Sequence, residues 1–179
     1  MGATETALAK IYNDDPDYQK IGAFVNPQVP QDQADAAAKA YVDMYNPTGK
    51  LDVIYEPSVA KVRWRKIAYN ATFNPVASIL RMDTPRMRMT QHLIDDLIKP
   101  LVAEIVAIAK ADGVELPDNV LTAVLHQDPN DTNFKPSMCQ DYEKGNLMEI
   151  ETLVGDPLRD ADKLGMHDPS FRFVYGNMK

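Results

Sequence analysis

The sequence contains few of the residues that build disulfides, metal sites or nucleotide sites. Its 179 residues include one cysteine, eight glycines and three histidines. The single Cys139 cannot form an internal disulfide, and His92, His126 and His167 are too dispersed for a zinc-binding helix, so we predict no metal site. No two glycines lie within nine residues of each other. This spacing excludes both a G-x-G-x-x-G loop and a P-loop from the chain.

The sequence also lacks a long uninterrupted apolar run. The nearest to one, Leu93 to Ala109, contains four charged residues, and we therefore predict no membrane span. No signal peptide is recognisable at the start, and we interpret the protein as cytoplasmic. None of the serines is flanked by the glycines of a nucleophile elbow, so nucleophilic catalysis has little support.

Charge is distributed unevenly along the chain. The net charge is −7, which argues against a nucleic-acid partner. Residues 61–110 are nevertheless basic, with nine Lys and Arg against four Asp and Glu. Such a region can attract a small anion, for example a carboxylate or a phosphate. It is also typical of a solvated helix face, and composition alone favours that second interpretation.

The first 56 residues predict a strand, a helix and a second strand. Loop signals occur at 14–17 and 26–30. Between and after them, we expect a strand over Ile21–Val25, a helix over Gln33–Tyr45 capped by Asp32, and a strand over Leu51–Tyr55.

From Pro57 onward the periodicity is helical. Asn74-Pro75 predicts a kink or break in the first helix. A central core helix is expected over Thr90–Asp112, where Pro100 either bends it or begins a second helix. Shorter helices are predicted at Pro117–Gln127, Ser137–Lys144, Glu149–Val154, Pro157–Leu164 and Pro169–Met178.

Lys66, Asn70 and Asn74 are spaced i, i+4 and i+8, so a helix would place them on one polar stripe. A lysine flanked by amides can protonate a developing alkoxide while the amides orient the substrate oxygens. An exposed polar face explains the same spacing, and spacing alone leaves that alternative slightly ahead. Because a residue before proline is pushed out of the α region, we expect Asn74 where the helix breaks.

Two further polar residues begin predicted helices, and one aromatic residue lies within the first helix of this region. Ser137 begins a predicted helix, where its hydroxyl would cap and free N–H groups could receive a carboxylate. Glu149 opens another short helix, where a carboxylate is commonly a partner of the helix dipole. Trp64 is predicted to anchor its helix on the core.

Two sequence blocks resemble the ketopantoate reductase family. The stretch from Arg63 to Pro75, RWRKIAYNATFNP, is similar to the W-x-K-x-x-x-N-x-x-x-N-P signature that opens the C-terminal domain of these enzymes. The stretch from Pro136 to Glu151, PSMCQDYEKGNLMEIE, is similar to their S-M-x-Q-D segment and the T-E-I-D-like segment that follows it. Order and spacing agree from about Pro57 to the C-terminus.

The resemblance implies a mainly α fold, the helical C-terminal domain of the 6-phosphogluconate dehydrogenase C-terminal-like type. Residues 57–179 would form this substrate domain, and residues 1–56 would be a small α/β remnant, the tail of a Rossmann domain. That missing N-terminal Rossmann domain would be the partner that binds most of the NADPH. The resemblance is compatible with a homodimer.

The resemblance also implies roles for individual residues. Lys66 would be the general acid and would hold the substrate, while Asn70 and Asn74 would bind its oxygens. Ser137 would bind the substrate carboxylate, and Glu149 would face both the substrate and the cofactor. Some members carry a further substrate-facing Asn where this chain has Thr84.

The expected function is that of an NADPH-dependent 2-dehydropantoate 2-reductase, an oxidoreductase that converts the keto acid ketopantoate to pantoate for pantothenate synthesis. Without its Rossmann domain the chain is expected to be inactive. One alternative is the C-terminal domain of a related 2-keto or 3-hydroxy acid dehydrogenase. Another is a stand-alone, non-catalytic helical binding module.

Overall fold

The computed structural model describes residues 3–8, 10–13 and 18–179, with the backbone alone for residues 3–7 and 10–13. The chain divides into two compact units, an N-terminal unit of residues 1–59 and a C-terminal unit of residues 60–179. The loop signal at 14–17 lies outside the described residues. No helix among the described residues is long and apolar enough to cross a membrane.

The N-terminal unit contains two small sheets and one helix. Strands β1 (Ala3–Ala7) and β2 (Lys10–Asn13) form an antiparallel pair that the sequence did not reveal. Strands β3 (Tyr18–Ile21) and β4 (Asp52–Tyr55) pair in parallel, and helix α1 (Gln31–Tyr45) connects them. A helix between two parallel strands is the βαβ arrangement.

Two details of this unit differ from the sequence predictions. The strand predicted at Ile21–Val25 ends at Ile21, because continued pairing would place Ala23 opposite Pro57, which has no N–H to donate. Asp32 does not cap α1. The helix begins at Gln31, two residues earlier than predicted, after Pro30, whose carbonyl accepts the amides of residues 33 and 34, so Asp32 lies in the first turn instead.

The C-terminal unit is all helical. Its helices are α2 (Val59–Asn70), α3 (Phe73–Leu80), α4 (Thr84–Met89), α5 (Gln91–Leu93), α6 (Lys99–Ala111), α7 (Val120–Leu125), α8 (Ser137–Lys144), α9 (Asp156–Lys163) and α10 (Pro169–Met178). Two π-helical turns, Ile94–Ile98 and Glu151–Gly155, directly precede α6 and α9.

Helix α6 lies at the centre of the core, as its wide apolar stripe predicts. Leu101, Ile105 and Ile108 on this helix are fully buried. They belong to one hydrophobic cluster that also contains Phe73 of α3 and Phe171 of α10. Burial of such large apolar side chains from separate helices stabilises the unit.

The first helix breaks at Ala71–Thr72, three residues before the predicted position at Asn74-Pro75. The Thr72 hydroxyl donates to the carbonyl of Ala68 at 2.7 Å and so provides a hydrogen bond to the last turn of α2. Pro75 then falls in the first turn of α3, where the missing N–H has no intrahelical partner to lose. The proline therefore marks the start of the second helix.

Each π-helical turn precedes a helix with proline at its second position, Pro100 in α6 and Pro157 in α9. The residue before each proline donates its amide five residues back, Lys99 to Ile94 and Asp156 to Glu151. The wider turn accommodates a residue that cannot donate a hydrogen bond. The backbone stays helical through Ile98 and Lys99, so the start of a separate helix, one of the two outcomes predicted for Pro100, is not observed.

Helices α8 and α10 match their predicted bounds. Gly145 ends α8 in a left-handed conformation at φ 72°, the usual role of glycine there. A side chain of another helix caps the start of α10. The Glu104 carboxylate of α6 accepts hydrogen bonds from the amides of Ser170 at 3.1 Å and Phe171 at 2.8 Å.

Candidate functional site

One face of α2 lines a cleft of about 500 Å³ in the C-terminal unit. This volume is in the range of small-molecule sites. The polar residues of the face are Arg63, Lys66 and Asn70, each one turn from the next. The other lining residues are Ala60, Trp64 and Ile67 of α2, together with Asp112, Glu149, Thr152, Leu153, Asp156, Pro157 and Asp160.

Trp64 and Tyr69 hold α2 in the orientation that turns this face to the cleft. Trp64 is buried, as predicted for an anchor, and its Nε1–H donates to Asp112 at 3.1 Å. Tyr69 is also buried, stacks on Phe73 with ring centroids 5.3 Å apart, and donates its hydroxyl to Asp128. Burial and the Asp128 carboxylate raise the pKa of Tyr69 far above its ordinary value.

Helix α2 carries four cations and no acid. Within the part of the chain that the structure describes, no ion pair or hydrogen bond joins the side chain of Lys61, Arg63, Arg65 or Lys66 to another residue. Like charges on one helix are destabilising. The α2 face therefore presents Arg63 and Lys66 to the cleft with no carboxylate of the described residues within ion-pair distance.

The carboxylates on the opposite side of the cleft are mostly engaged. Asp156 pairs with Arg159, and Asp160 pairs with Lys163 at 2.8 Å. Glu149 is exposed just before the helical turn at Ile150, and its side chain has no partner among the described residues. The cleft thus combines two cations, an amide and two carboxylates, Glu149 and Asp112, none of which makes an ion pair among the described residues.

The structure brings Lys66, Asn70 and Glu149 together and leaves Asn74 and Ser137 out of the cleft lining. Asn74 is the second residue of α3 and only 2% exposed. Its carbonyl accepts the Ser78 hydroxyl at 2.8 Å. Its side-chain amide makes no hydrogen bond within the described residues.

Ser137 is exposed at the first position of α8 and does not cap the helix. The capping prediction for Ser137 is wrong because Pro136 occupies the N-cap position. Thr84 is buried and does not line the cleft. Its amide donates to the carbonyl of Phe134 at 3.0 Å, and its hydroxyl lies 3.5 Å from the same oxygen.

Sequence reasoning missed Arg63 and Asp112 as cleft residues. Arg63 stands three positions before Lys66, so the helical spacing that linked Lys66 to Asn70 could have found it. Asp112 is 46 residues from Lys66 in sequence and no local signal places it there. No group of three or more metal-ligating side chains occurs among residues 18–179, whose side chains are described.

The family model described as ketopantoate reductase PanE/ApbA C terminal matches residues 58–179. This chain belongs to that family. The resemblance identified from the sequence is confirmed, and so is the mainly helical fold of the ketopantoate reductase C-terminal domain.

Relatives of this ketopantoate reductase family member include an uncharacterized protein of Saccharomyces cerevisiae, 32% identical over 182 residues. That alignment covers 98% of this chain and 49% of the yeast protein. A 2-dehydropantoate 2-reductase of a Nostoc species is 28% identical over 117 residues, which cover 65% of this chain and 36% of the relative. The chain thus spans half or less of the length of these curated relatives.

Solved structures share the fold. The 2-dehydropantoate 2-reductase from Methylococcus capsulatus superposes with a TM-score of 0.74 at 27% identity, covering 99% of this chain and 54% of that one. A D-mandelate dehydrogenase in a ternary structure with NADH and anilino(oxo)acetate superposes with a TM-score of 0.69 at 26% identity. That match covers 80% of this chain and 79% of the dehydrogenase.

Proposed function

We propose that this chain is the substrate-binding C-terminal part of an NADPH-dependent 2-dehydropantoate 2-reductase, which reduces ketopantoate to pantoate for pantothenate synthesis. The observation that carries the proposal is the cleft itself, where Lys66, Asn70 and Glu149 meet and where Lys66 makes no ion pair among the described residues. A keto acid is an anion that needs both a cation and a proton donor. The family membership supports the same reaction class.

The reduction needs one hydride and one proton. NADPH, when bound, supplies the hydride to the keto carbon of the substrate. The Lys66 ammonium donates its proton to the keto oxygen as negative charge develops there, and the lysine regains a proton from water. Asn70, one turn further along α2, donates an amide hydrogen to a substrate oxygen and fixes the angle at which the keto group faces Lys66.

The residues of this chain suit only the reacting end of such a cofactor. Glu149 offers an unpaired carboxylate at the cleft, where it would face both the substrate and the reacting end of the nicotinamide cofactor. The sequence has no glycine-rich loop for the phosphates. We therefore propose that a Rossmann domain holds the remainder of the cofactor. In this proposal residues 1–56 are the tail of that domain, and residues 57–179 are the substrate domain.

The roles of Asn74 and Ser137 stay predictions from the family resemblance. Asn74 is buried with an amide free of partners in the described residues, as a residue reserved for a ligand would be. Ser137 is exposed and is not among the residues that line the cleft, so a role in binding the substrate carboxylate would require the ligand to reach α8. A homodimer is likewise part of the proposal; a ketopantoate reductase from Staphylococcus aureus is dimeric.

The proposal is tested by assaying the full-length protein that contains this chain. Ketopantoate and NADPH should give pantoate, with NADH a poorer reductant, and the 179-residue chain alone should give none. The product is identified by mass spectrometry so that unrelated NADPH oxidation is not counted. Absence of pantoate from the folded full-length protein, with cofactor bound, would refute the proposal.

A second candidate is a 2-keto acid dehydrogenase of different specificity. It is favoured by the likeness to D-mandelate dehydrogenase, which extends over 79% of that chain. The same assay distinguishes the two when an aryl keto acid such as phenylglyoxylate and NADH are included. A preference for that pair over ketopantoate and NADPH would establish the second candidate. Ligand binding without any turnover would instead identify a non-catalytic module.

A further inference from the structure

Asn70 is the last residue of α2, and its side chain makes no hydrogen bond among the described residues. The helix breaks directly after it, at Ala71–Thr72. Helix ends fray readily, because the last carbonyl groups have no intrahelical partner. A side chain that orients the substrate from this position therefore depends on the contacts that fix the last turn of the backbone.

Two residues that do not line the cleft fix the last turn of α2. The Thr72 hydroxyl lies 2.7 Å from the carbonyl oxygen of Ala68 and 3.1 Å from that of Tyr69. The buried ring of Tyr69 stacks on Phe73 beyond the break, and its hydroxyl donates to the Asp128 carboxylate. Thr72 thus ties the turn to its own helix, whereas Tyr69 also ties it to a distant segment of the unit.

Asp128 is itself held in place by a buried cation. The Nη1 of Arg88 on α4 lies 3.8 Å from the Asp128 carboxylate, and its Nη2 donates to the Pro129 carbonyl at 3.1 Å. The side chains of Arg88 and Asp128 are only 11% and 8% exposed, so salt and water screen their attraction little. Burial and the Asp128 carboxylate raise the pKa of Tyr69, so its hydroxyl keeps the proton that it donates. Tyr69 is therefore bonded to a fixed acceptor.

We propose that Tyr69 and Asp128 are positioning residues that hold Asn70 at the angle at which it orients the substrate. This inference rests on the proposed reductase function, in which Asn70 sets the angle between the keto group and Lys66. Neither Tyr69 nor Asp128 lines the cleft, so both act through Asn70. The hydrogen bond between them fixes the rotation of the last turn of α2 about the helix axis, where the helix itself provides least support.

The test is Tyr69→Phe in the full-length protein, which keeps the ring and its stack on Phe73 and removes only the hydroxyl. Loosening of the last turn should lower kcat for ketopantoate about 10-fold, with a smaller change in KM, because reactivity depends steeply on orientation. The matched control is Tyr142→Phe. It removes a tyrosine hydroxyl that accepts from Arg81 at 2.7 Å outside the cleft lining, and it should leave both constants unchanged.

A double-mutant cycle shows whether Tyr69 acts through Asn70. In an Asn70→Ala background, Tyr69→Phe should cause little further loss of kcat, because the residue that it positions is gone. A merely structural contribution would instead lower kcat by the same factor in both backgrounds. Additive losses, or a Tyr69→Phe protein with the wild-type kcat, would overturn the proposal.

Two further variants separate positioning from stability. Asp128→Asn keeps an oxygen that can accept from Tyr69 but removes the charge that faces Arg88, so it should lower the melting temperature and keep most of the kcat. Glu104→Ala removes the cap of α10 and should also lower the melting temperature with kcat unchanged. If kcat fell in step with the melting temperature across all these variants, the role of Tyr69 would be structural and the proposal wrong.

Hydrogen exchange distinguishes failure of this inference from failure of the proposed function. The Ala71 amide, which donates to the Ile67 carbonyl at 2.8 Å, should exchange faster in Tyr69→Phe and not in Tyr142→Phe. Unchanged exchange would overturn the positioning role whether or not the protein reduces ketopantoate. If exchange is faster but no keto acid is reduced, the proposed function is wrong. Calorimetric titration of ketopantoate then decides, because binding weakened in Tyr69→Phe alone would support the positioning of Asn70 and unchanged or absent binding would refute it.

Discussion

Lys66 is the residue on which the proposed chemistry depends. It is exposed to the cleft and has no partner among the described residues, so removing it costs no contact within the protein. In the full-length protein, Lys66→Ala should lower both kcat and kcat/KM, by about 10²- to 10⁴-fold, because a general acid acts in the transition state. Steady-state kinetics on ketopantoate measure both constants.

The control for Lys66 is Lys61→Ala on the same helix. Lys61 is exposed and does not line the cleft, and its replacement should leave both constants unchanged. If Lys66→Ala raised KM and left kcat unchanged, Lys66 would bind the substrate and the proton would come from another group.

Glu151 is a residue whose ionisation is coupled to stability. Hydrogen bonds from Lys179, Arg159 and Tyr175 lower its pKa from 4.5 to about 2. Because the folded-state pKa is depressed, this carboxylate stabilises the fold fully above pH 4.5, and the contribution disappears as pH falls from 4.5 to about 2. Since the group is exposed, salt should weaken the effect.

Urea unfolding at a series of pH values checks the Glu151 prediction. The free energy of unfolding should fall more steeply between pH 4.5 and about 2 in the wild type than in Glu151→Gln, which has no carboxylate to titrate there. Parallel profiles for the two proteins would show that Glu151 titrates normally in the folded state.

At the scale of elements, Gly22 allows the segments that follow β3 and β4 in the N-terminal unit to approach each other closely. A Cβ at this position would lie 2.2 Å from the Glu56 carbonyl oxygen and 2.5 Å from a methyl of Val59. The Glu56 amide donates to the Ile21 carbonyl at 2.8 Å, so the two segments cannot separate without losing that bond. Gly22→Ala should therefore destabilise this unit by about 1–3 kcal/mol, the usual cost of overpacking.

Hydrogen exchange at the Glu56 amide measures this effect locally. Exchange should be faster in Gly22→Ala, while Gly176→Ala, where a Cβ meets nothing within 4 Å, should leave the protein as stable as before or more stable. Unchanged exchange in Gly22→Ala would mean that the added Cβ is accommodated without loss of the hydrogen bond from Glu56 to Ile21.

Element ends were predictable where proline or glycine marks them. The bounds of α8 and α10 followed from Gly145 and Pro169, and the parallel strand β4 from its apolar run before Pro57. Pro75 misled the prediction because a proline is tolerated in a first helical turn as readily as it breaks a helix interior. The π-helical turns have no sequence signature beyond the prolines that follow them.

At the scale of the whole molecule, the core belongs to one unit. Every member of the main hydrophobic cluster lies between Trp64 and Tyr175. Residues 60–179 expressed alone should therefore fold and unfold cooperatively, with the helical circular dichroism of the intact unit. Residues 1–59 alone bury few apolar side chains among those described and should be unfolded. A fragment 60–179 without a cooperative transition would contradict this division.

The candidate site was predictable in part. Helical spacing placed Lys66 and Asn70 on one face of α2. Glu149 could be assigned to the site only through the family resemblance, because helix packing brings it to the cleft from a distant segment. Asp112 could not be predicted as a cleft residue for the same reason. The charge surplus at residues 61–110 was visible in the sequence. In the structure Arg63 and Lys66 line the cleft, whereas Lys61 and Arg65 are exposed outside it, so the basic region is partly a cleft wall and partly a solvated face.

The unneutralised cations of α2 make the cleft sensitive to the solution around it. Phosphate, sulfate and citrate are small anions whose oxygens can accept hydrogen bonds from Arg63 and Lys66. We expect such ions to compete with an acidic ligand for these two cations and also to screen its attraction. An apparent affinity for any acid ligand is thus a property of the buffer as well as of the protein, and values from citrate and from a zwitterionic buffer are not interchangeable.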